Sequence, residues 1–179
     1  MTPRRSPASA LVRAAAAPVL FLGLAFWAAL RVVDATGGAF VYPLDDPYIH
    51  LAVAENLAQG HYGLNLATPS SPASSVVWPG LLAAGLALGA GGWVALVLNL
   101  GLGVWTLEVA RRLGSAASGT SNAGTGVAVA AVLVLNLPAL ALIGMEHVLQ
   151  LGLTLAAWLG LVGVAHGACL AGRSCWRSR

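Results

Sequence analysis

Residues 93–112 read WVALVLNLGLGVWTLEVARR, an apolar run without a cation that closes on Arg111-Arg112. Its first 18 residues make about 27 Å of helix at ~1.5 Å per residue, close to the ~30 Å of bilayer hydrocarbon. Arginine belongs on the cytoplasmic flank of a membrane helix. The pair therefore fixes the direction in which this segment crosses, and with it the parity of every segment around it.

Working outward, three further runs are long enough to cross: residues 14–33, 125–144 and 148–165. A fifth run, residues 76–90, is apolar but only 15 residues long, about 22 Å of helix. Pro79 sits near its start and Gly91-Gly92 closes it, which suits a re-entrant or interfacial helix. Residues 14–33 follow Arg4, Arg5 and Arg13, too long an apolar run for a signal peptide and with no small-residue cleavage site. With 76–90 not crossing, Arg4, Arg5, Arg13, Arg111, Arg112, Arg173, Arg177 and Arg179 all face the cytoplasm. If it crossed, Arg111-Arg112 and the basic tail at 166–179 would lie outside. Only Arg31 is left at the outer end, where it can snorkel.

The fold class expected is all-α transmembrane. It is a four-span helical bundle with an extracytoplasmic loop that carries an amphipathic helix and a short re-entrant or interfacial helix. The chain is expected in the cell membrane, multi-pass, with both termini cytoplasmic. Composition agrees: 58% of residues are apolar and 8% charged, where soluble domains hold ~45–50% and ~25%. The membrane lipid is thus the first partner. There is no lysine and no basic stripe interleaved with aromatics, which excludes nucleic acid. Cys169 and Cys175, six apart, give neither a metal-ligand spacing nor a disulfide framework.

The outer loop, residues 34–75, holds Asp34, Asp45, Asp46 and Glu55 and no basic residue. Within it, DDPYIHLAVAENLAQG predicts a helix over 47–59, with Asp46 as N-cap, Pro47 at N1 and Gly60 past the end. Ile49, Val53 and Leu57 share a face that would lie on the membrane, with His50 projecting elsewhere. Capping uses one carboxylate. The second, Asp45, suits a general base or, with Asp46, a divalent cation such as Mg or Mn. The Ser/Pro run at 69–75 leads straight into the short apolar helix and can fold over a site at the membrane face.

The order DDPYIHLAVAENLAQGHYGLN, then SSPASSVVW, then a helix ending VARRLG resembles the N-terminal part of the C-type-fold (GT-C) glycosyltransferases. These multi-pass enzymes use polyprenyl-phosphate-linked sugars; protein mannosyltransferases, lipid A aminoarabinose transferases and arabinofuranosyltransferases are examples. The resemblance implies an inverting transfer on the extracytoplasmic face, with Asp45 as base and Asp46 as its partner or a metal ligand. Gly144-Met145-Glu146-His147 resembles the G-[LM]-E-T element of some of these families, with His147 where Thr is usual, and implies Glu146 as a second acid. His50, Tyr48 and Asn65 are the substrate-binding candidates. The resemblance also implies a longer protein, so the remainder of the enzyme or a C-terminal partner is expected. The alternative is a non-catalytic integral membrane protein, a truncated relic or an accessory subunit.

Other polar residues have plainer readings. His61 and His166 are expected at surfaces. Glu108 precedes Arg111 and Arg112 by three and four residues, the spacing of a local ion pair. Asn99, Asn136 and Pro138 lie in spans, where interhelical hydrogen bonds and a kink are expected. Trp27, Trp78, Trp93, Trp105, Trp158 and Trp176 fall near the ends of apolar runs, as an interfacial belt requires. Residues 114–122, GSAASGTSN, are expected to form a flexible turn. Glu146, near an interface, is expected where exposure is cheap.

Overall fold

A computed structural model describes residues 6–67, 70 and 72–177, with the side chains of Pro7 and of residues 166–177 left aside. The readings of Arg4, Arg5, Pro69, Ser71 and Arg179, and of the His166, Cys169, Arg173, Cys175, Trp176 and Arg177 side chains, lie outside that description. Every regular element described is helical: α1 (Pro7–Ala35), α2 (Asp46–Ala58), α3 (Val77–Ala87), a 3₁₀ turn at Gly91–Trp93, α4 (Val94–Ser118), α5 (Ser121–Val134), α6 (Leu137–Ile143) and α7 (His147–Arg177). Three helices are long and apolar enough to cross a membrane, and four if the bent pair α5–α6 is one span. The described residues therefore have the all-helical build of a multi-pass membrane protein.

Helix α4 is the axis. Half of its most apolar window is buried, against 17% for α1 and 11% for α7. The exposed apolar flanks of α1 and α7, Val19, Phe26, Leu30, Leu153, Leu161 and Val164 among them, suit hydrocarbon rather than water. On α1, Ala17, Phe21 and Ala25 recur every four residues and make one buried face. The Phe21 ring fills the space left where Gly103 of α4 has no Cβ, so the helices approach closely. Asn99 crosses from α4 to the other side, its Nδ2 donating to the carbonyls of Ala141 and Met145 at 3.4 and 3.0 Å. That is the interhelical bonding expected of it.

One expectation is met and others are corrected. The kink expected within residues 125–144 is present, as a sharp break: α5 and α6 meet at 52° around Leu135-Asn136. Asn136 is left-handed (φ 47°), and Pro138 supplies no N–H to Val134 and crowds its carbonyl. Residues 114–122 are mostly helical, because α4 runs to Ser118 and stops at left-handed Gly119. Thr120 then caps α5 by accepting from the Ala123 N–H at 3.3 Å. The tail at 166–179 is helical as far as Arg177, since α7 continues through it.

The two ends of the bundle differ. At one end, Thr125 of α5 bonds the Arg13 carbonyl of α1 at 3.5 Å, and Glu108 pairs with Arg111 and Arg112. At the other, the segment after α1, helices α2 and α3, the start of α4 and the corner between α6 and α7 all meet. Here the Tyr42 hydroxyl donates to the Gly92 carbonyl at 2.8 Å and accepts from the Leu96 N–H at 3.1 Å. It satisfies one of the orphan donors in the first turn of α4. Burial pushes the Tyr42 phenol up; the bond from Leu96 opposes this and Tyr48 adds to it.

Candidate functional site

The second end gathers the three sequence motifs. Residues Gly144, Met145 and Glu146 form the corner between α6 and α7, and each bonds a different element. The Gly144 carbonyl accepts from Trp78 Nε1 of α3 at 3.2 Å, and the Met145 carbonyl from Asn99 of α4. Glu146 Oε1 accepts from Ser74 Oγ at 2.8 Å. Gly144 is required twice over. Its φ is +79°, and a Cβ there would stand 2.7 Å from the Tyr42 ring and 3.2 Å from Pro47 of α2.

Helix α2 lies across this corner. It begins at Asp46, so Asp45, not Asp46, stands at its N-cap, and neither carboxylate caps it. Pro47 falls one position later than expected, while Gly60 does follow the end with φ +85°. The expected face of Ile49, Val53 and Leu57 is also corrected. The buried residues are Pro47, His50, Leu51, Val53 and Ala54, so the helix packs into protein. His50 does not project away. It is 3% exposed, with Nε2 3.7 Å from Glu146 Oε2. Glu146 is likewise 3% exposed, contrary to the expectation that it sits where exposure is cheap. Trp78 is fully buried and belongs to no interfacial belt, whereas Trp27, Trp93, Trp105 and Trp158 are exposed.

Asp45 and Asp46 are exposed at the rim, just before the turn that touches Gly144. Among the described residues no three His, Cys, Asp or Glu side chains come together as a metal cage. Two neighbouring carboxylates fit a magnesium-type cation only if phosphate and water complete its shell. Tyr48 is exposed; its hydroxyl accepts from the Tyr42 N–H at 2.9 Å and its ring meets Tyr42 edge-on at 5.7 Å. Asn65 and His61 are exposed, and none of the described contacts ties either to the cluster. Asn56 Nδ2 holds the segment between them, donating to the Gly63 and Leu64 carbonyls at 2.8 and 3.0 Å.

Two concavities meet at Phe40 and Trp93. A partly polar pocket of about 370 Å³ is lined by Phe40, Tyr42, Tyr48, Leu51 and Trp93 with the Gly92 backbone. A groove of about 430 Å³, lined by Leu22, Phe26, Leu30, Leu96 and Leu100, runs between α1 and α4 and is almost wholly apolar. Phe40 and Trp93, stacked at 4.9 Å, border both. Tyr42, Ser74 and Gly144 had no assigned role in the sequence. Ser74 carried a signal in its place in the Ser/Pro run and Gly144 in opening the Gly-Met-Glu element, whereas Tyr42 carried none. No known protein family, curated protein or solved structure matches the chain.

Proposed function

We propose that this chain forms the carboxylate-bearing part of a membrane glycosyltransferase that takes a sugar from a polyprenyl-phosphate donor. The observation that carries the reading is convergence. Asp45-Asp46, the Ser-rich run and Gly144-Met145-Glu146 are distant in sequence, yet Pro47 packs on Gly144 and Ser74 bonds Glu146. Parity alone puts the outer loop and the 144–147 corner at one end; what supports the reading is that the motifs also touch there.

In this reading Asp45 takes the proton of an acceptor hydroxyl. The hydroxyl oxygen bonds the anomeric carbon from the face opposite the phosphate, the carbon–oxygen bond to phosphate breaks, and the lipid phosphate leaves with the electron pair. The product is inverted at that carbon. The apolar groove suits the isoprenoid chain and the aromatic pocket the sugar ring. Asp45 and Asp46 lie in the chain between two linings of that pocket, Tyr42 and Tyr48. The end that carries them faces outside and both termini face the cytoplasm, because the arginines then flank the inner ends.

The test is transfer by membranes holding the chain as the cell makes it, with radiolabelled polyprenyl-phosphate mannose and polyprenyl-phosphate arabinose as donors. Wild type should label envelope material, and Asp45→Asn should lower the rate about 10²–10⁴-fold at equal abundance. No transfer from either donor, or an undiminished rate in the variant, overturns the reading.

A further inference from the structure

The break between α5 and α6 stands at mid-membrane. Leu137, which opens α6, packs in one apolar cluster with Phe21, Leu107 and Val148, and Phe21 lies midway along α1. Hydrocarbon offers a polar group no partner, so irregular backbone at this depth is tolerated only where protein or a water-filled cavity covers it. The described residues leave it open. Leu133, Val134 and Leu135 are exposed, Val134 by 81%, and Asn136 beside them is exposed too. Among the described residues no hydrogen bond uses the Asn136 side chain, which does not cap α6 either. The interhelical bond expected of it is therefore not made within one copy. The Val134 carbonyl has lost its ordinary donor, because residue 138 is proline. One side of the bundle thus presents a carboxamide, donor and acceptor in one group, and a bare carbonyl at lipid depth. Toward the other end of α5, Gly126, Ala130 and Val134 recur every four residues and are exposed. A Cβ on Gly126 would meet nothing, whereas Gly124 is spent on the contact with Ser115 and Arg111 of α4. The amide carries the argument; the small residues only let another helix come close.

We propose that this face seats a second copy of the chain, related by a two-fold axis along the membrane normal that passes beside Asn136. A lipid tail has neither donor nor acceptor to give. A different membrane protein would need its own polar group at the same depth. A second copy meets that condition at once, because the axis keeps residue 136 of both copies level. A carboxamide is also complementary to itself: each Nδ2 donates to the other copy's Oδ1, and its second N–H is left for a bare carbonyl at the break. Leu133, Val134 and Leu135 close around the pair and keep lipid out. The inference is independent of the glycosyltransferase reading.

Two measurements on the full chain test it. The first is oxidative cross-linking in native membranes, with Cys169→Ser and Cys175→Ser and one new thiol at a time. Val134→Cys should give a disulfide-linked species of twice the chain mass, and Leu161→Cys, exposed on α7, should not. The second counts fluorophores by photobleaching in nanodiscs wide enough for two copies. Wild type should show two copies per disc. Asn136→Gly keeps the left-handed corner and deletes the amide, so it should weaken association about tenfold. Val134→Trp leaves the corner alone and blocks the face, so it should leave single copies. Single copies of wild type, association undiminished by Asn136→Gly, or a cross-link from position 134 to a different protein overturns the proposal. If hydrogen exchange shows that Asn136→Gly loosens the corner itself, Val134→Trp decides, and two copies per disc despite its indole overturn the proposal.

Discussion

Glu108 and Glu146 are both glutamates bordering apolar runs, and their surroundings are opposite. Glu108 is about one-third exposed and receives three short bonds, from Arg111 Nε and Nη2 at 2.7 and 2.8 Å and from Arg112 Nε at 2.7 Å. All three come from its own helix, three and four residues on. Glu146 is buried, receives one bond, and faces an imidazole brought from nearly a hundred residues away. A locally saturated carboxylate has no capacity left for chemistry. An under-saturated one, assembled by the tertiary fold, is held there by everything around it.

The comparison breaks first on truncation. Glu146→Ala leaves His50 and Ser74 without partners inside the fold and should cost about 3 kcal/mol. Glu108→Ala removes partly exposed, solvent-screened pairs and should cost at most about 1 kcal/mol. Unfolding of both variants in detergent, with hydrogen exchange over α2, reads the difference. Equal losses would show that the Glu146 corner is no more constrained than a surface pair.

Two of the left-handed glycines sharpen it. Gly144 and Gly119 end α6 and α4 with φ of +79° and +71°, so alanine strains both by about 1 kcal/mol. Around Gly119 there is open space, while at Gly144 the new methyl meets the Tyr42 ring and Pro47. Gly144→Ala should therefore cost about 2 kcal/mol in total and loosen α2, whereas Gly119→Ala should leave α2 untouched. Hydrogen exchange resolved by segment separates them.

The same contrast explains what the sequence revealed. The Glu108 pair, the arginines flanking the apolar runs and the runs themselves are local patterns, and a short stretch of sequence is enough to read them. The short helix at 77–87 and the helix opened by Asp45-Asp46-Pro47 were legible because proline, glycine and run length mark them. At Asn136 and Pro138 the kink was legible but its sharpness was not, since those residues in a span also fit a continuous, gently bent helix. The inward turn of His50 was hidden for a different reason. A helix with apolar residues on several sides shows no single face, so which one is buried depends on the partner, and that partner, residues 144–146, is invisible to a local pattern. For Asp45 and Asp46 the sequence offers a cap and a chemical carboxylate, and the fold puts Asp45 at the cap position with no cap bond; Glu146 reads as an acid near an interface, and its burial comes only with the fold.

The smallest expected effect concerns the bond that ties the loop after α1 to α4. The Tyr42 hydroxyl is both donor to Gly92 and acceptor from Leu96, so Tyr42→Phe should cost about 1 kcal/mol, the net worth of such bonds. Because burial raises the phenol above its ordinary value of 10.0, its stabilising contribution is complete below pH 10 and is lost as pH rises through the higher folded value. Ionisation removes the proton given to Gly92 and places a charge in a half-apolar pocket beside Tyr48. Wild type should therefore show a loosening of residues 38–48 that begins only above about pH 10. The phenylalanine variant should be looser from the start and show no alkaline step. Trp93 borders the same pocket and its fluorescence reports the event. A step that survives in Tyr42→Phe would show that it does not come from Tyr42 and leave the α4 cap without a pH-dependent part.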